Sequence, residues 1–202
     1  MKDRTQKKTS STKTQNQHRI QETLWSFPNL CATALSDLSK EMRNKSDKNI
    51  MFEIIAKEWN KKPENMSRME FFYHLLTIFI ENGVLIQFCT QHTPPCRPKV
   101  DTKILEKYAD LLKNFLNTVN RYKLIVIEVE LLVALENVVY TQPKYRSAIS
   151  DVMDILFRNG VVEAVAFSEW SQMDSQRQEE KTQLIREIKR SGFSLLKRSS
   201  SL

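Results

Sequence analysis

Apolar residues recur at intervals of three and four along most of the chain, the spacing that places side chains on one face of a helix. The first stripe runs through Ile20, Leu24, Phe27, Leu30, Ala34, Leu35 and Leu38, with Pro28 marking a break or an early turn. Asp47 to Asn60 is the next predicted helix, with Asp47 as N-cap and Ile50, Ile54, Ile55 and Trp59 on one side. Lys61-Lys62-Pro63 ends it. Met66 to Asn82 follows, carrying Met69, Phe72, Tyr73, Leu76, Phe79 and Ile80, and closes at Asn82-Gly83, where glycine suits a left-handed C-terminal cap. A short helix to about Gln91 is expected next, then a linker at Thr93-Pro94-Pro95-Cys96-Arg97-Pro98, which cannot be helical throughout.

Beyond the linker, Asp101 to about Val119 predicts a helix with Ile104, Leu105, Tyr108, Leu111, Leu112 and Phe115 inward. Tyr122 to Tyr140 is apolar almost all round apart from Glu128, Glu130 and Glu136, which predicts a central helix covered on several sides. Lys144 to Arg158 follows Pro143 and stops at Asn159-Gly160; Val161 to about Ser171 and Ser175 to Leu196 complete the set. Twice, at Asn82-Gly83 and Asn159-Gly160, a long apolar helix ends and apolar sequence restarts at once. The separation of the two glycines is close to two repeats of about 40–47 residues, which suits a helical array, although two copies of so short a likeness also arise by coincidence. The expected fold is all-α: HEAT-like stacked antiparallel helix pairs, an α-solenoid of about 8–9 helices. Residues 20–198 form this domain, divided into 20–92, a Pro-rich linker at 93–100, and 101–198; residues 199–202 are expected to fray.

Composition agrees with helices: three glycines and six prolines in 202 residues are few for a protein of hairpins and tight turns. The net charge of +7 matters through its distribution. Residues 1–19 hold six Lys/Arg against one acid and residues 184–202 five against one, while residues 20–183 hold twenty against twenty-two. The basicity belongs to the two ends. Residues 1–19 have almost nothing to bury and are expected to be a disordered basic arm, either a solubilising tail or a weak RNA-binding or import segment.

Cys31, Cys89 and Cys96 lack metal-ligand spacing and follow no secretory signal, so a reducing, cytoplasmic setting is expected. The longest apolar run, Phe71 to Val84, is broken by His74, Glu81 and Asn82 and falls short of the roughly 18 residues of a membrane span. His18, His74 and His92 are scattered without metal-site spacing, and no phosphate loop, nucleophile elbow or Cys/His catalytic signature occurs. No enzyme activity, metal, cofactor or membrane association is expected; His74 reads as a core-edge residue.

The most specific signal is the run Glu130-Leu-Leu-Val-Ala-Leu135-Glu-Asn-Val-Val139, followed by Met153-Asp-Ile-Leu-Phe157-Arg-Asn-Gly-Val-Val162-Glu-Ala-Val-Ala-Phe167-Ser-Glu-Trp170. It resembles the W-two domain of eukaryotic translation initiation factors, most nearly the C-terminal domain of initiation factor 4-gamma, over about Asp101 to Leu196. The resemblance implies a helical HEAT-type fold without catalytic activity, docking an initiation factor or an associated protein kinase. It also implies docking segments at Glu130 and Glu136, and at Glu163, Phe167, Glu169 and Trp170. Core packing for the two rings, and a plain solvated face for Glu163 and Glu169, are the alternatives.

The last helix departs from the family pattern at Ser191-Gly-Phe193-Ser-Leu195-Leu196 and in its basic end. Leu184, Ile185, Ile188, Leu195 and Leu196 form its apolar side, with Lys181, Arg186, Lys189, Arg190, Lys197 and Arg198 nearby. It caps the array or offers a basic surface, in particular Arg186, Lys189, Arg190, Lys197 and Arg198, to an acidic partner or RNA. The competing functional reading is an RNA-binding protein that uses both basic ends. That reading lacks a recognisable RNA module and aromatic residues among the basic runs of the arm.

Overall fold

A computed structural model of the chain describes residues 47–62, 64, 66–85, 98–119, 125–175 and 177–190. The expected basic arm, the Ile20–Leu38 helix, most of the Pro-rich linker, Lys197, Arg198 and the frayed end lie outside the described residues. Within them the protein is all-α, with seven helices: α1 (Lys48–Lys61), α2 (Arg68–Gly83), α3 (Thr102–Val119), α4 (Ile125–Thr141), α5 (Ile149–Arg158), α6 (Ala164–Gln172) and α7 (Gln178–Arg190).

Local chemistry sets the ends of these helices. The Asp47 carboxylate accepts from the Asn49 amide at 2.8 Å, and the Ser67 hydroxyl accepts from the Glu70 amide at 3.1 Å, so each satisfies an amide that the first turn leaves without a partner. At the end of α5, Gly160 adopts φ 66° and donates to Phe157 O, while Val161 donates to Leu156 O. This is a Schellman closure, and it needs glycine because a side chain resists that dihedral.

Gly83 corrects the parallel expectation. It is the last residue of α2, and among the described residues Gly160 alone is a glycine with positive φ. Gly83 is instead suited to a close approach: a Cβ there would stand 2.6 Å from Leu105 Cγ, on the facing wall of α3. The short helix expected after it is also corrected at its start. Val84–Leu85 is a strand (β1) pairing antiparallel with Lys99–Val100 (β2), in the register Val84↔Val100 and Leu85↔Lys99. β-branched Val84 suits this extended bridge, which ties the end of α2 to the start of α3; Asp101 N donates to Gly83 O at 2.8 Å. The expected Lys144–Arg158 helix divides into a 3-10 segment, Pro143–Ala148, followed by α5. The final helix is seen from Gln178 to Arg190, starting later than the predicted Ser175.

Packing alternates along the chain. α1 packs on α3, α3 on α5 and α5 on α7, while α2 packs on α4 and α4 on α6, with α2 also against α3. Side-chain pairs fix the directions. Phe79 stacks on Tyr108 at 4.7 Å while Phe71 meets Phe115 at 5.9 Å, so α2 and α3 run antiparallel. Arg68 reaches Glu130 and Tyr73 reaches Thr141, so α2 and α4 run parallel. α2 and α4, two apart, are thus parallel, and the sequential pair α2 and α3 antiparallel. α4 occupies the centre, with Ile127, Val129, Leu131 to Glu136, Val138 and Val139 all buried, as its all-round apolar sequence required.

Candidate functional site

α4 and α6 lie side by side and in parallel, joined at both ends by polar contacts from α4 carboxylates. At the N-terminal end, Glu128 Oε2 accepts from the Glu163 amide at 2.7 Å. Glu163 occupies the N-cap position of α6, but its own side chain makes no cap bond. Glu128 supplies the acceptor from the neighbouring helix. Burial raises its carboxyl pKa; the Glu163 amide bond partly offsets this, and the Glu163 carboxylate adds to it.

Toward the other end sits a buried polar hub around Glu136, which is 5% exposed. Its Oε2 accepts from Trp170 Nε1 at 2.8 Å; its Oε1 accepts from the Tyr140 hydroxyl at 2.8 Å and the Ser175 hydroxyl at 3.4 Å. Lys181, itself 1% exposed, places Nζ 3.8 Å from Oε2 and donates to Met173 O at 3.0 Å. Its ammonium also lies 5.1 Å from the centre of the Trp170 ring. Burial raises the Tyr140 pKa, and the charge and hydrogen bond of Glu136 add to that. Burial lowers the Lys181 pKa, opposed by Glu136 and Asp174. A buried carboxylate with three donors is well satisfied, so the hub orients α6 on α4.

The six residues marked as docking segments therefore separate. Trp170, Phe167 and Glu136 are buried, and the two rings pack together with centroids 5.4 Å apart. Glu130 is largely covered and forms an ion pair with Arg68 at 2.9 Å. Glu163 and Glu169 are exposed. Val165, in the first turn of α6, is 51% exposed, and Val126, in the first turn of α4, is 52% exposed, two of the three large apolar side chains open to solvent among the described residues. On α7, Arg186, Lys189 and Arg190 are exposed, the last two in the final turn, where cations complement the helix dipole.

Sequence reasoning missed Tyr140, Ser175 and Lys181 as partners of Glu136. Tyr140 follows Glu136 by one helical turn, a pairing legible from spacing. Lys181 lies in phase with Leu184 and Ile188, so a lysine on an apolar stripe was the available signal. The Ser175 contact depends on how the loop folds back. Among the described residues no group of three or more His, Cys, Asp or Glu side chains is placed to hold a metal, and no helix is long and apolar enough to cross a membrane. No protein-family model matches the chain, and neither a curated protein nor a solved structure matches it.

Proposed function

We propose that the chain is a non-enzymatic cytoplasmic adaptor of the translation-initiation type, docking an initiation factor or an associated kinase through the exposed side of α6. The carrying observation is the division within the Trp170 segment. Its aromatic residues are buried, while Glu163, Glu169 and half-exposed Val165 face solvent on the same short helix. An apolar side chain flanked by carboxylates, on a helix fixed from beneath by the Glu136 hub, is a preorganised surface for another protein. The parallel stacking of α2, α4 and α6 supports the HEAT-type reading, in which such faces are held by a rigid array. The W-two resemblance supplies the class of partner. Glu136 and Trp170 then act beneath the surface as scaffold.

The test is affinity capture of the tagged full chain from cytoplasmic extract with nuclease present, comparing wild type with Glu163→Lys/Glu169→Lys. The expected result is an initiation factor or associated kinase that survives nuclease and is lost with the charge reversal. Capture that disappears with nuclease overturns this reading in favour of RNA contact through the basic ends.

A further inference from the structure

α7, like α1 with two buried residues of fourteen, is held by few buried side chains, and of the two only α7 has a cation among them. Three of its thirteen residues are buried, Lys181, Leu184 and Ile188, whereas α5 buries six of ten. Its ion pair to the 3-10 segment is a part-buried fork toward the C-terminal end of α7, Arg146 Nε to Glu187 Oε2 at 3.1 Å and Nη2 to Oε1 at 3.4 Å. One of the three anchors is therefore a cation inside the protein. The Lys181 ammonium makes one hydrogen bond, to Met173 O, lies over the face of Trp170, and is attracted by Asp174 and by Glu136, the latter at 3.8 Å, beyond hydrogen-bond reach. The Glu136 carboxylate already accepts from three other donors.

We propose that α7 is a detachable cover over Trp170: it separates from the fold as a unit while α1 to α6 stay folded, and the buried Lys181 ammonium sets how readily it leaves. In water Lys181 would regain a full hydration shell, so its seat between Trp170 and Glu136 costs free energy that Leu184 and Ile188 must offset. The depressed Lys181 pKa is consistent, because it already includes the attraction of Glu136 and still disfavours the charged form. Glu136 keeps Trp170, Tyr140 and Ser175 as donors without Lys181, so losing the cation does not orphan the carboxylate. When α7 leaves, the Trp170 face that Lys181 covers opens to solvent. The inference concerns motion within the chain and does not rest on the docking reading.

Native-state hydrogen exchange on the full chain tests it, following the amides of Leu184 and Ile188 in α7, those of Leu131 and Leu135 in α4, and the Trp170 indole N–H. The α7 amides should exchange through one shared opening, at least about tenfold faster than the α4 amides, while the indole N–H, which keeps its Glu136 acceptor when α7 leaves, should stay protected with α4. Lys181→Met should slow that opening by about tenfold, against the usual expectation for removing an ion-pair partner. Leu184→Ala should speed it and leave α4 unchanged. Exchange of α7 and α4 with a single common protection overturns the proposal, as does Lys181→Met leaving the opening unchanged or faster, or Leu184→Ala moving α4 in step with α7.

Discussion

At the scale of single residues, Trp170 shows how a side chain marked by its sequence pattern serves the interior. Its ring is 1% exposed and its N–H is committed to Glu136. Trp170→Phe keeps most of the ring but removes a donor from a buried carboxylate, with an expected cost of about 1–3 kcal/mol in urea unfolding. Trp170→Ala adds a cavity and should cost about 3–5 kcal/mol, so any binding lost with it reflects the fold. A Trp170→Phe protein as stable as wild type would contradict the hub. His74 carries a second residue-scale consequence. Its Nε2 is buried without a hydrogen-bond partner, and burial lowers its pKa from the ordinary 6.5. The unfolded chain therefore binds the proton more readily. The stability contributed by neutral His74 is complete above that value and is lost as pH falls from the unfolded toward the folded pKa. Glu70 and Glu128, whose pKa values burial raises from the ordinary 4.5, act in the opposite sense. The comparison of wild type with His74→Leu isolates the histidine: between about pH 7 and pH 5 wild type should lose stability relative to the variant in denaturant titrations. Parallel curves would show that His74 is not the titrating group.

At the scale of elements, the two glycine stops look alike in sequence and differ in cause. Gly160→Ala forces a side chain into φ 66°, within 3.2 Å of Lys113 Nζ, a flexible end that can move aside; the expected cost is about 1 kcal/mol, chiefly backbone strain. Gly83→Ala meets the body of Leu105, which is 4% exposed and has little room to move, so about 1–3 kcal/mol is expected. Thermal or urea unfolding of the pair checks both values, and equal costs with an undisturbed α2–α3 contact would refute the distinction. Helix existence was legible here because it depends on local spacing: Asp47 capped α1 as expected, and α4 was recognisable as the central helix from an almost unbroken apolar run. What local spacing cannot carry is the partner across space. Val84–Leu85 continues an apolar run but is extended because Lys99–Val100 pairs with it, and the lack of room for a side chain at Gly83 follows from where α3 lies.

At the scale of the whole molecule, α2, α4 and α6 stack in parallel and the Glu136 hub gathers α4, α6 and the start of α7 around one buried carboxylate. The candidate site was half legible for the same reason. The Trp170 segment could be located from its pattern, but which of its residues point inward depends on α4, and α4 takes Phe167 and Trp170 while leaving Glu163 and Glu169 outside. A rigid interior and a separable exterior should then respond differently to substitution. The most direct measurement reads one preparation of Glu163→Lys/Glu169→Lys twice, by urea unfolding and by nuclease-treated capture. An unchanged urea midpoint together with loss of the captured protein is the predicted result. Capture undiminished at an unchanged midpoint would contradict it, and α6 would not be the docking surface.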